Sequence, residues 1–303
     1  MLHEEERQCY VLKQIEMKDR EDAADQELKI LKMITHPYLV QFKESFVRSY
    51  QSKNYLCIVM IQAAGGDLEH YLQSCVKLKP GQCIPESQIL DWFVQLCYAI
   101  QALHSTLILH RDIKAENIFL DASFERVVLG DFSISTILKH SEEKVTERIG
   151  TPYYLSPEIC RGKEYSFSSD LWALGCVLYK MCTFTYPFDA TSVQALVNVI
   201  CKSEPKPIDP LRGYSANLRF LCQLLLSKDP LSRPSIESIL KMPFLQDYVR
   251  KWNPETLKST DTTTKNGKDS EQEKSCLSKF GSWCYCPCSV RSVKPDEERF
   301  LSF

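Results

Sequence analysis

The sequence predicts an α+β fold of two lobes, a small strand-rich lobe followed by a larger, mainly helical one. Three observations carry this. Runs rich in Val, Ile and Tyr at Cys9 to Ile15 and Tyr55 to Met60 read as strands, with a helical segment from about Asp22 to Ile34 between them. After Gly65-Gly66 the periodicity turns helical. The run from Leu171 to Met181 is apolar nearly all round, the pattern of a helix buried on every side.

In order along the chain, the first strand run and the segment after it form the small lobe, and the lobes are expected to meet near 61–67. Ile89, Trp92, Phe93, Leu96, Ile100 and Leu103 recur at helical spacing and mark a long amphipathic helix ending before His110. The pattern fails from about Asp247. Lys258 to Ser275 is almost entirely polar and cannot bury itself, so residues 1–247 are expected to form one domain and 248–303 a disordered linker with a Cys-rich tail.

Bulk properties bound the function. A chain of 303 residues, 44% hydrophobic and 25% charged, can build a substantial core. Its net charge of -2 gives no reason to expect nucleic acid as a partner. The opening Met1-Leu2-His3-Glu4-Glu5-Glu6-Arg7 is acidic and no run reaches membrane-span length, so no transmembrane segment and a cytoplasmic or nuclear location are expected. Of fourteen cysteines, ten lie singly among apolar neighbours, among them Cys57, Cys97, Cys176, Cys182 and Cys222. They read as small, reduced core residues.

The chemistry concentrates in His110-Arg111-Asp112-Ile113-Lys114-Ala115-Glu116-Asn117, followed by Asp131-Phe132-Ser133. An Asp that accepts a hydroxyl proton, an Asn five residues on and a second Asp beyond are the parts that phosphoryl transfer from Mg-ATP requires. Asp112 is the candidate catalytic base, and Lys114 the cation that offsets charge on the transferring group. Asn117 and Asp131 supply the hard oxygen ligands that suit Mg²⁺. Upstream, Val11-Leu12-Lys13 closes the first strand with a Lys that would hold the ATP phosphates, and Glu27 on the next helix is its natural partner. Gly150-Thr151-Pro152-Tyr153-Tyr154-Leu155-Ser156-Pro157-Glu158 stands where an A-P-E motif would stand, with Ser156 for the Ala.

On these motifs, with Gln88 to Gln95 and Leu171 to Tyr179, the chain from about Cys9 to Phe244 resembles the NIMA-related (NEK) serine/threonine protein kinases. The resemblance implies a bilobal kinase fold whose small lobe is incomplete here, with ATP and Mg²⁺ as cofactors and Ser or Thr of protein substrates as acceptors. It puts Met60 at the back of the nucleotide pocket, adenine against the backbone of Ile61 to Ala63, and Asp67 near the ribose. It pairs Glu158 with Arg233 and has Asp170 fix the catalytic loop. Thr146, Glu147 and Thr151 become regulatory candidates, since Arg111 is of the kind that orders an activation segment through a phosphate, and Glu147 offers a fixed charge in its place. Nuclear, ciliary or centrosomal pools join the cytoplasm as family locations.

Two departures bear on activity. No glycine occurs before Gly65, and only twelve residues precede Lys13, so the Gly-rich loop over the phosphates is expected to be missing and turnover weak. Ser133 replaces the Gly of D-F-G, a residue that adopts φ > 0 cheaply. Two function classes therefore stand: an ATP-dependent serine/threonine kinase, and a pseudokinase-like interaction or scaffold module. For the tail cysteines Cys276, Cys284, Cys286 and Cys288, an unmodified segment and S-acylation both stand, and the Cys-x-Cys spacing fits zinc poorly.

Overall fold

Four consecutive apolar residues, Leu56 to Val59, are too hydrophobic for a strand with one wet face, and they form the centre of the small lobe. The computed structural model describes residues 2–3, 8–17, 21–78, 81–147 and 149–256. Its first sheet holds β1 (Leu2–His3), β2 (Gln8–Glu16), β3 (Phe42–Tyr50) and β4 (Lys53–Ile61), antiparallel in the order β1-β2-β4-β3. Leu56, Cys57, Ile58 and Val59 of β4 are all buried. Helix α1 (Glu21–Met33) connects β2 to β3 and buries Ala24, Glu27, Ile30 and Leu31.

The sequence reading lacked β3. Its residues are mostly exposed, so it shows no clean alternation, and its turn to β4 uses Gln51 at φ 48° and Ser52 at φ 63°. Two positive-φ residues make a tight hairpin of the kind usually signalled by Asn-Gly. Neither residue gives that signal.

The chain leaves the sheet at Gly65, where a Cβ would lie 2.3 Å from the Asp121 carbonyl oxygen, so only glycine fits that close pass. The larger lobe then runs through β5 (Gly66–Asp67), α2 (Leu68–Leu78), α3 (Glu86–Ser105), β6 (Ile108–Leu109), β7 (Ile118–Leu120), β8 (Val127–Leu129) and β9 (Thr136–Ile137). It continues with α4 (Pro157–Cys160), α5 (Phe167–Thr183), α6 (Val193–Lys202), α7 (Ala216–Leu225), α8 (Ile236–Leu240) and α9 (Gln246–Lys251). Small sheets β5-β7-β8 and β6-β9 frame the loops that carry the motifs.

Every residue of α5 from Ser169 to Thr183 is buried, which fits its nearly unbroken apolar run. Gly175 lets α7 press close, since a Cβ there would sit 2.7 Å from Leu225 Cβ. Trp92 and Phe93 of α3 and Trp172 of α5 are fully enclosed in the same core. Helix starts are capped by side chains: Ser192 accepts from Ala195 N, and Ser215 from Leu218 N.

The two lobes are stitched together away from the chain crossing. Leu129 N donates to Tyr38 O and Val40 N donates to Leu129 O, both at 2.9 Å. The fully buried Tyr38 also donates its hydroxyl to the Trp252 carbonyl at 2.7 Å.

Two expectations need correction. The boundary placed at 247 falls inside α9, and buried Trp252 follows it, donating Nε1 to Asp91 at 2.5 Å beside the Lys251–Asp91 ion pair. A polar run hid one anchoring tryptophan. Of the ten described cysteines, Cys57, Cys97, Cys176, Cys182 and Cys222 are buried, but Cys9 is exposed and Cys75, Cys83, Cys160 and Cys201 are half-buried. The linker and the tail cysteines lie outside the described residues.

Candidate active site

Antiparallel pairing of Lys13 with Ile58 sets Lys13 on the cleft side of the sheet, opposite α1. Its Nζ lies 2.8 and 2.9 Å from the two oxygens of Glu27, itself 2% exposed, and 2.9 Å from Asp131 Oδ1. Burial alone would lower the Lys13 pKa, but Glu27 and Asp131 outweigh it and hold it above the ordinary lysine value. Asp131 mirrors this: burial would raise its carboxyl, and the Lys13 charge, its hydrogen bond and one from Ser133 hold it below the ordinary value. Lys13 and Asp131 are thus both held in their charged forms across the two lobes, while burial pushes the Glu27 carboxyl above its ordinary value against the opposing Lys13 charge.

The catalytic loop follows β6 and is shaped by a buried anion. Asp170, at the start of α5, accepts from His110 N and Arg111 N at 3.0 Å each and contacts His104 Nε2 at 2.9 Å. These bonds pin Arg111 at φ 69°. Burial would raise the Asp170 carboxyl, yet His104 and the backbone donors hold it low. His110 receives Asp112 N on Nδ1 at 3.2 Å, so its Nε2 donates to Gly130 O at 3.2 Å, and burial pushes its pKa down. His110 is a neutral strut between the two motifs.

On that frame sit the candidate chemical groups. Lys114 Nζ is 2.7 Å from Asp112 Oδ2 and donates to Thr151 Oγ1 at 3.1 Å, and Thr151 donates in turn to Asp112 Oδ1 at 2.9 Å. Asn117 Nδ2 donates to Asp112 O at 2.9 Å and to Oδ2 at 3.0 Å. With its amide nitrogen so engaged, Asn117 turns its oxygen away from Asp112. That oxygen and the Asp131 carboxylate are a hard-donor pair of the kind Mg²⁺ takes when phosphates and waters fill its remaining positions. The donor set fits the ion.

The nucleotide-facing candidates lie along β2, β4 and the chain exit. Val11 pairs with Met60, and Val11 is part-exposed at the sheet surface. Ile61 N donates to Gln41 O and Gln62 N to Cys9 O, both at 3.0 Å, whereas Ala63 N donates to none of the described residues. That leaves the Ala63 N–H without an acceptor among the described residues, which is compatible with the adenine-facing role expected of it. Asp67, the residue expected near the ribose, accepts from His70 N at 2.7 Å and so caps α2.

The activation segment is anchored at its far end by Glu158 and Arg233, joined by two parallel hydrogen bonds of 2.7 and 2.8 Å, with Ser169 donating to Glu158 at 2.7 Å. At its near end Arg111 pairs with Glu147, which is 58% exposed. Thr146 is exposed next to it in the chain, and Ser141, a further candidate phosphosite, is exposed six residues earlier. Thr151 lies apart from them, within the Asp112–Lys114 cluster.

Motif reasoning missed several contributors. His104 carries no motif signal, and its role comes from α3 ending beside α5. Thr151 was grouped with the regulatory residues, because only the folded segment returns it to Asp112. The positive φ near the second motif falls on Asp131, at 62°, and not on Ser133. The Gly-to-Ser change therefore meets no left-handed backbone, and its hydroxyl instead supports Asp131.

The protein kinase domain family matches residues 1–245 of this chain. The human serine/threonine-protein kinase Nek5 is 43% identical over 237 residues, 78% of this chain and 32% of that protein. Mouse Nek1 is 42% identical over 247 residues, covering 80% of this chain and 20% of its own length. Mouse Nek3 is 37% identical over 256 residues, 84% of this chain and 48% of that protein. The chain thus spans less than half the length of each of these relatives.

Proposed function

The chain belongs to the protein kinase family, in its Nek branch, and on that premise we propose that it transfers the γ-phosphate of ATP to Ser or Thr of protein substrates. The observation that carries the reading is the cluster around Asp112. A carboxylate held by Lys114, Thr151 and Asn117 is positioned to receive the proton of an acceptor hydroxyl. Lys114 offsets negative charge beside it. Lys13, steered by Glu27, would hold the α and β phosphates, and Asn117 and Asp131 would hold Mg²⁺, which when bound neutralises charge on the phosphates. Positioning and electrostatics are most of what phosphoryl transfer needs.

The alternative is an interaction or scaffold module that keeps the fold, and no glycine occurs before Gly65 in this sequence. The test compares ATP-dependent labelling of Ser/Thr peptides by this chain, its Asp112→Asn and Asp131→Asn variants, and a version carrying a grafted Gly-rich strand pair from a related kinase. Turnover that rises in the graft and vanishes with Asp112→Asn supports the kinase. A well-folded graft that labels nothing supports the scaffold.

A cytoplasmic location with nuclear, ciliary or centrosomal pools is proposed on family grounds, and no helix among the described residues is long and apolar enough to cross a membrane. S-acylation of Cys276, Cys284, Cys286 and Cys288 remains a proposal alongside an unmodified tail. Thioester-exchange labelling in cells distinguishes them.

A further inference from the structure

Two half-buried thiols meet where the activation segment ends. Cys160 closes α4, a helix of four residues, and Cys201 lies near the end of α6. Neither belongs to the motifs above. The Cys201 thiol donates to the carbonyl of Pro157, the first residue of α4, at 3.8 Å. Arg161, the residue after Cys160, reaches back across the same junction and donates to Cys201 O at 2.7 Å. The Cys201 sulfur is thus set against the single turn that carries Cys160. Burial, and after it the Cys201 thiol alongside, push the Cys160 thiol up to about 12.

The two sulfurs differ in their surroundings. Cys160 stays protonated at neutral pH, because its site disfavours a thiolate. Cys201 has a cation on each side: Arg161 takes its own carbonyl, and Lys228 donates to the Ile200 carbonyl at 2.8 Å. Burial lowers the Lys228 pKa to about 8 against the opposing charge of Glu204, so its ammonium keeps most of its charge at neutral pH. These cations occupy the last carbonyls of α6, which would otherwise turn the negative end of the helix toward the sulfur. They also balance the negative charge carried by a cysteine sulfur as it attacks an oxidant. Cys201 is therefore the attacking sulfur of the pair, and Cys160 is the thiol placed to resolve it.

We propose that Cys160 and Cys201 are a modification site for hydrogen peroxide, which joins them in a reversible disulfide and clips α6 to the end of the activation segment. In the first step the Cys201 sulfur attacks one peroxide oxygen and the O–O bond breaks. Cys201 becomes a sulfenic acid, and the other oxygen leaves as water with the thiol's proton. In the second step the Cys160 sulfur attacks the Cys201 sulfur, the S–S bond forms and the S–O bond breaks. The hydroxyl leaves as water with the Cys160 proton, so two thiols are oxidised and one peroxide is reduced to two waters. A dithiol reverses the bond by exchange. The clip acts on α4, which also carries Glu158, the partner of Arg233 at the segment's far end. Helix α6 buries only Leu196 and Ile200, so a covalent bond adds substantially to its hold on the segment.

The test is made on the full chain and needs no kinase activity. Reduced protein is treated with a modest excess of hydrogen peroxide, blocked with N-ethylmaleimide, digested with trypsin without reduction and mapped by mass spectrometry. The expected product joins the peptide ending at Arg161 to the peptide ending at Lys202 in about half of the chains or more, and a dithiol abolishes it. Cys182 shares the Lys202 peptide, so the link is expected to persist in Cys182→Ser and to vanish in Cys201→Ser. Loss of the Cys160 thiol is expected to slow about tenfold in Cys201→Ser, where the attacking sulfur is gone. In Cys160→Ser the resolving sulfur is gone, and dimedone labelling of Cys201 as sulfenic acid is expected to rise about fivefold over the wild type. A wild type in which both thiols survive, in which Cys201 passes to sulfinic acid without a link, or in which either cysteine pairs chiefly elsewhere overturns the proposal. So does a link that survives Cys201→Ser. The wild-type map stands without any variant, so a variant that fails to fold leaves the answer intact.

Discussion

Thr151 donates its hydroxyl to Asp112 Oδ1 at 2.9 Å while accepting from Lys114 Nζ at 3.1 Å. Thr151 therefore closes a three-membered polar cluster with Lys114 and Asp112, the candidate base, and couples the position of its own segment to the orientation of that carboxylate. Thr151→Val, which keeps the shape and removes the hydroxyl, is expected to lower kcat by about tenfold to a hundredfold, the cost of one lost hydrogen bond at a charged group. Thr151→Ser should retain most activity. Steady-state kinetics with ATP and peptide varied separately is the check, with KM for ATP expected to move little.

Lys13 is the chief reason that Asp131 stays ionised in a buried place. Removing it in Lys13→Met leaves burial opposed chiefly by the Ser133 hydrogen bond, so the Asp131 carboxyl is expected to titrate higher than in the wild type. Mg²⁺-dependent ATP binding should then lose affinity at higher pH on acidification than it does in the wild type. Calorimetric titrations across the acid range read this directly, and superimposable acid limbs would contradict it.

The Glu158–Arg233 pair is fully enclosed. Burial would raise the Glu158 carboxyl, but the Arg233 hydrogen bonds and charge, with Ser169, hold it below its ordinary 4.5. A depressed folded-state value means the stabilisation is complete above the unfolded value and is lost as pH falls through the folded one. Glu158→Gln should therefore show a flatter loss of stability below about pH 4.5 than the wild type. Arg233→Met strands a buried carboxylate and should cost about 3–5 kcal/mol at neutral pH. Denaturant melts at several pH values test both.

Arg111 ties Glu147 to the catalytic loop, but Glu147 is largely exposed, so the pair is worth at most about 1 kcal/mol. Glu147→Ala is expected to speed proteolytic cleavage within the activation segment by about twofold to fivefold. Unchanged cleavage and activity, together with loss of activity in Thr146→Ala, would show that a phosphate rather than the fixed charge orders the segment.

The sequence revealed residues whose role is local and left out those whose role is made by the fold. Asp112, Lys114, Asn117 and Asp131 sit at fixed spacings in one loop and one turn, so their grouping is written into the chain. Lys13 and Glu27 were found only by their order upstream of that motif. The 2.8 Å ion pair between them depends on how α1 packs across the sheet. His104 and Thr151 meet partners 66 and 39 positions away, and nothing in their own neighbourhoods announces those contacts. Strand β3 escaped because an exposed strand with a Gln-Ser turn carries neither the alternation nor the glycine that marks a hairpin.

The seam at Tyr38, Val40 and Leu129 has a mechanical consequence. The small lobe is joined to the larger one at this seam, at the chain exit near Ala63, through Lys13 to Asp131 at 2.9 Å, and through Gln26 Nε2 donating to Ser135 O at 2.6 Å. Parting the lobes at the cleft breaks the last two while the backbone hydrogen bonds of the seam can stay closed.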